Sequence, residues 1–126
     1  MVRKQYNFWP GEQGLDAWDV DRLIQLSETL PVRDVAIEAI AEIDSDYWFS
    51  YGPIVPTVRR VVEHMRLTNE ADLSFPIILA ASGRVMDGMH RVARAILDGN
   101  STILAVRFES DPDPDYRNCS PEDLPY

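Results

Sequence analysis

Ile77-Ile78-Leu79-Ala80-Ala81-Ser82-Gly83-Arg84-Val85-Met86-Asp87-Gly88-Met89-His90-Arg91-Val92-Ala93-Arg94-Ala95 is the stretch that decides the fold. Its first five residues form a continuous apolar run, as expected of a strand buried on both faces. Ser82-Gly83 is a turn signal, and Val85-Met86 resumes the apolar pattern as the second strand of a hairpin. Asp87-Gly88 then breaks the pattern. From Met89 the period changes, with Val92, Ala95, Ile96 and Gly99 following in three- and four-residue steps, the spacing of a helix. A helix entered from a tight Asp-Gly turn starts with backbone N–H groups that lack intrahelical partners, and an anion is favoured there.

Working outward, Gly99-Asn100 signals the C-terminal end of this helix, and residues 102–108 read as a final strand. Upstream, Pro56-Thr57 opens a helix through about residue 67. Val58, Val61, Val62 and Met65 form its apolar face and Arg59, Arg60, Glu63 and Arg66 its polar one. Residues 32–37 read as a short strand and 38–43 as helix, with Ala39, Ile40 and Ile43 inward. Tyr47-Trp48-Phe49 reads as an aromatic plug for the core, and residues 51–56 as a turn-rich connector. Asp19 is expected to cap a helix running to about Leu30, with Val20, Leu23, Ile24 and Leu26 on its apolar side. Residues 1–14 carry loop signals. Residues 109–126, with four prolines and a run of acids, read as an extended or disordered arm.

Composition narrows the function classes. At 126 residues and 45% apolar content the chain can build one core, so a single α+β domain is expected, with its core at about residues 32–108 between an N-terminal helical extension and the acidic tail. No apolar stretch approaches the ~20 residues that span a bilayer, and the N-terminus lacks a signal-type apolar core. A cytoplasmic location is the simplest expectation. The single Cys119 excludes an intramolecular disulfide and a cysteine-rich zinc site. A net charge of −9 opposes binding to a phosphate backbone, unless Arg59, Arg60, Arg66, Arg84, Arg91 and Arg94 form a local stripe.

Three constellations carry chemistry. In Asp87 to Arg91, Gly88 lets backbone approach a ligand, and the first-turn N–H groups of Gly88, Met89 and His90 can cradle phosphate oxygens. Arg91 can add a charge-assisted contact, His90 can donate or move a proton, and Asp87 can hold Mg²⁺ or act as a base. The same letters also fit a plain hairpin end with solvated helix residues. Thr57, Arg59, Arg60, Glu63 and His64 can supply a second anion contact or a wall for base specificity, or simply a solvated helix face. Among Glu42, Asp44 and Asp46, a carboxylate facing the turn can serve as general base; otherwise these are solvated acids at a helix end.

The ordered set Phe75-Pro76-Ile77-Ile78, then Gly83 through Ala95 containing Asp87-Gly88-Met89-His90-Arg91, then Gly99 and Ile103-Leu104-Ala105-Val106 resembles the ParB/sulfiredoxin-like superfamily. The resemblance is carried by residues 75–108 and extends more weakly back to Val32. It implies a compact α+β domain that binds a nucleotide through its phosphates at the motif helix. Gly88, His90 and Arg91 match the phosphate-binding positions, and Asp87 matches the acidic position of the kinase branch. Members include CTP-using partition proteins, ATP-dependent sulfinic acid reductases, a free-serine kinase and proteins described as nucleases. Met89 stands where the reductases need a cysteine and where the kinase branch has a second histidine. The partition proteins' later helix-turn-helix domain has no counterpart in this sequence.

The expectation is therefore a nucleotide-phosphate-binding domain using ATP or CTP with Mg²⁺, as a phosphotransferase or nucleotide hydrolase. Asp87, His90 and Glu42 are its catalytic candidates, Asp87 its metal ligand, and Gly88, Met89, His90, Arg91, Thr57 and Arg60 its phosphate contacts. The rivals are a non-catalytic nucleotide-gated or protein-interaction module, with the acidic tail as docking arm, and a DNA-binding or nuclease protein.

Overall fold

The computed structural model describes residues 4–50 and 55–126. It shows a small mixed α+β protein, with three α-helices and two sheets among the described residues. The first sheet has three strands in the order β1 (Tyr6–Pro10), β2 (Leu15–Asp19), β7 (Tyr116–Cys119), all antiparallel. The second has four, in the order β3 (Arg33–Ala36), β6 (Thr102–Arg107), β4 (Ile77–Leu79), β5 (Val85–Asp87). In it β4 and β6 run parallel, and the other neighbours are antiparallel. The helices are α1 (Val20–Ser27), α2 (Val58–Glu70) and α3 (Met89–Leu97).

The apolar run at β4 is continuous because both faces of the sheet are covered. Successive strand residues point to opposite sides. Ile77 and Leu79 join Val85, Ile103, Ala105 and the α3 residues Met89, Val92 and Ala95 in one core. Ile78 and Ala80 join Met86, Val106, Phe108, Trp18 and Leu23 of α1 in another. Tyr47 and Trp48 pack against the α3 side, as expected of an aromatic plug. Asp19 caps α1 by accepting from the Asp21 N–H, and Thr57 caps α2 by accepting from the Arg60 N–H.

Five expectations are corrected. Residues 1–14 are not loop throughout: Tyr6–Pro10 pairs with Leu15–Asp19 as a hairpin. The tail 109–126 is not a free arm. Its Tyr116–Cys119 strand completes the first sheet, Trp18 Nε1 donates to the Pro112 carbonyl at 2.8 Å, the Tyr6 hydroxyl donates to the Pro125 carbonyl, and Leu124 is buried. Composition hid this because a strand recruited by long-range pairing needs no apolar period of its own. Residues 38–43 form 3-10 turns, Ile37–Ala39 and Ala41–Asp44, rather than α-helix, and Ala39 faces solvent. The apolar face of α2 also faces outward: Val58, Val61, Val62 and Met65 are all exposed, while His64, Leu67 and Thr68 turn toward the body. Ile24 and Leu26 of α1 are likewise exposed.

Deleting residues 109–126 should lower the thermal midpoint by roughly 10 °C or more. It removes a strand and the buried Leu124, and about 1 kcal/mol moves a domain of this size by ~4–8 °C. An unchanged midpoint by circular dichroism would return the tail to the status of a passive arm.

Candidate functional site

The candidate site is the join between β5 and α3. β5 ends at Asp87, and Gly88 turns the chain with φ 109°, in the left-handed region. No side chain caps α3, so its first N–H groups are left to whatever lies before the helix. A Cβ on Gly88 would stand 2.7 Å from Arg91 Nη2 and 2.7 Å from Ile77 Cγ2. Only glycine meets both the backbone angle and this close approach. The space that the sequence reading reserved for a ligand at Gly88 is thus taken by the Arg91 guanidinium.

Arg91 Nη2 donates to Asp87 Oδ2 at 3.0 Å and to the Pro76 carbonyl at 3.4 Å. Arg91 Nε is buried and has no partner among the described residues. The guanidinium is thus held by one carboxylate and keeps an unused donor.

His90 lies on the next part of the turn, paired with His64 of α2. His64 Nδ1 and His90 Nε2 are 2.8 Å apart, and both rings stack on the Trp48 indole with centroids 4.4 and 4.8 Å away. A shared proton fits between these nitrogens. An ion on the line joining them does not, since it needs ~2 Å to each nitrogen. Burial pushes the His90 imidazole down to about 4, with the charges of His64 and Arg91 acting the same way and Glu63 opposing. Burial also lowers His64, again against Glu63. At neutral pH the pair is an uncharged stack, and His90 is not poised to shuttle protons as the sequence reading expected.

The other candidates lie elsewhere. Glu42 accepts a hydrogen bond from the Val85 N–H and stands 4.0 Å from Arg84 Nε, so it braces the start of β5 rather than the turn at its end. Val85 and Asp87 are two residue steps apart, roughly 7 Å along a strand. Thr57 is spent as a helix cap, and Arg60 Nη1 donates to the Val55 carbonyl at 2.9 Å. Neither makes a hydrogen bond to Asp87, Gly88, His90 or Arg91. Among the described residues no group of three or more His, Cys, Asp or Glu could hold a metal ion. Asp87 would therefore supply a single carboxylate to a Mg²⁺ arriving with a ligand.

Two shallow apolar hollows flank Trp48. One, of about 220 Å³, lies between residues 42–49 and α3 and is bordered by Met89. The other, of about 310 Å³, lies between α2 and α3 and is bordered by His64, Val61, Met65 and Leu97.

The arginine stripe is largely neutralised. Arg66 pairs with Glu63 and Glu70, Arg91 with Asp87 and Arg94 with Asp98. Arg84 lies 4.2 Å from the Trp9 ring centroid, beside Glu42. Burial raises the Cys119 thiol, which donates to the Leu15 carbonyl, so it is not an activated nucleophile. Among the described residues no helix is long and apolar enough to cross a membrane.

Comparison with family models, curated proteins and solved structures returns no match.

The sequence pointed to Asp87, Gly88, Met89, His90 and Arg91 as a unit, and they do form one turn. It also named His64, but as an anion contact, and Trp48, but only as core filling. Their joint stacking on His90 was missed because 26 residues separate the histidines and no spacing rule links them.

Two tests follow from this geometry. Gly88→Ala should destabilise the fold by at least about 1–2 kcal/mol in urea titrations, combining left-handed strain with a forced shift of Arg91. His90 is depressed relative to the unfolded chain, so the unfolded state binds its proton first. Its contribution to stability is whole above pH ~6.5 and is lost as pH falls toward 4. The unfolding midpoint should slope downward across that window, less steeply in His90→Gln; parallel profiles would show that other groups carry the acid sensitivity.

Proposed function

We propose that this chain is a nucleotide-phosphate-binding domain of the ParB/sulfiredoxin-like kind, with the start of α3 as its anion seat. The observation that carries the reading is the uncapped, Gly88-led start of α3, with the Arg91 guanidinium laid over it. The buried Arg91 Nε without a partner supports it, since an unmet donor there lacks only an acceptor. Phosphate oxygens would take the first-turn N–H groups and draw on Arg91, in competition with Asp87. A nucleoside triphosphate such as ATP or CTP would bring Mg²⁺, with Asp87 as the one protein carboxylate at hand. The apolar hollow bordered by Met89 offers a surface for the rest of the ligand.

The geometry favours binding over turnover. A phosphotransferase or hydrolase needs a base, and the candidates are engaged: Glu42 holds the Val85 N–H, and His90 is desolvated against His64 and Trp48. The non-catalytic module is therefore the better reading of this site. The DNA-binding or nuclease reading loses support from the pairing of Arg66, Arg84, Arg91 and Arg94 with acids.

Isothermal titration with ATP, CTP and GTP, with and without Mg²⁺, should show binding of at least one nucleotide. Arg91→Ala should weaken it by about tenfold or more, the scale of a lost charge-assisted contact. Absence of binding, or full affinity in Arg91→Ala, would remove the proposal. Phosphate release that falls in Glu42→Gln would restore the catalytic reading.

A further inference from the structure

α2 leaves its apolar residues exposed to solvent, with Val61 and Met65 at the edge of the hollow it forms with α3. Val58 is 82% exposed, Val61 41%, Val62 54% and Met65 57%. Leu97 of α3, 68% exposed, borders the same hollow as Val61 and Met65, so the patch continues onto the neighbouring helix. Water-facing surface of this kind is not needed to fold α2, whose packing toward the body runs through His64, Leu67 and Thr68. An apolar patch of this extent marks an interaction surface.

We propose that this face is a homodimer interface, in which α2 packs antiparallel against α2 of a second copy around a two-fold axis passing between Val61 and Val62.

The pattern is compatible with a second copy. Reversing the helix about the midpoint of Val61 and Val62 maps the apolar set onto itself: Val58 comes level with Met65 of the second copy, and Val61 with Val62. A two-fold interface needs such a self-complementary patch. The spacing of Val58, Val61, Val62 and Met65 is also the seam spacing of antiparallel helix pairs crossing at about 20°. Charge permits the contact despite the −9 of the whole chain. α2 holds Arg59, Arg60 and Arg66 against Glu63 and Glu70, and Arg66 is already paired with both acids. In the reversed register Arg59 stands level with His64 and Arg66 with Thr57, so no two like charges are set level.

Area agrees as well. At roughly 100 Å² of apolar surface for each well-exposed aliphatic side chain, the five residues present about 400–500 Å² per copy. Two copies would bury roughly 800–1,000 Å², at or below the lower edge for stable association, so the dimer is expected to be weak and reversible rather than obligate.

Light scattering and sedimentation equilibrium on the full chain, up to about 1 mM, should show a monomer–dimer equilibrium. Val62→Glu should weaken it by at least about tenfold while leaving far-ultraviolet circular dichroism unchanged, since the site is exposed. Register is read by oxidative cross-linking in a Cys119→Ser background. Val62→Cys, beside the axis, should link to itself. Val58→Cys should not, because its two copies would lie about 10 Å apart along the helix axis, too far for a disulfide. A monomer throughout, a dimer indifferent to Val62→Glu, or self-linking at position 58 but not at 62 would each overturn the proposal.

Discussion

Burial of β4 on both faces is the constraint on which the rest of this protein depends. Ile77 and Ile78 are adjacent in sequence and belong to different cores. One face needs α3 and the aromatic segment over it; the other needs α1 and Trp18 of the first sheet. Removing either layer would expose half of a strand that has no polar side. The same strand fixes the candidate site. Ile77 presses against Gly88, and the carbonyl of Pro76, just before β4, accepts from Arg91. The turn before α3 is thus built on the most deeply buried strand of the sheet, and its shape is set by packing as much as by its own letters.

That origin explains why the turn proposed as an anion seat is also internally paired. A helix start with no side-chain cap leaves donors unmet, and Arg91 has a donor to spare. Asp87 meanwhile holds the guanidinium, and His90 is sheltered in a neutral stack with His64 and Trp48. An incoming anion would exchange one carboxylate for several phosphate oxygens at Arg91, a trade between partners of like charge that leaves the cation paired throughout. No comparable exchange is open to His90. Its protonation in the apolar stack is suppressed by burial, which suits a group that shapes the site rather than one that moves protons through it.

Much of the fold was legible in local pattern. The hairpin of β4 and β5, the start of α3 at the Asp-Gly turn, the caps Asp19 and Thr57 and the strand β6 all have short-range signals: an apolar run, a period change, a capping residue. The hairpin of β1 and β2 and the strand β7 did not. β1 and β2 pair locally, but their aromatic and proline-flanked letters read as loop; β7 is polar and becomes a strand only by pairing across about a hundred residues, as Cys119 does with Leu15. The α2 face shows a different limit. Its helical period was read correctly, but a period tells which residues share a face and not whether that face meets the core or solvent.

The sequence by itself determined that Asp87 to Arg91 would form one turn at a helix start, because the Asp-Gly break and the change of period are local and follow from backbone sterics. Only the tertiary structure decided what that turn would hold. Arg91 folds over Gly88 because Ile77 and Pro76 bring β4 alongside, and His90 loses its charge because α2 and Trp48 exclude water from it. These are contacts between segments far apart in the chain, and no spacing within any one segment encodes them.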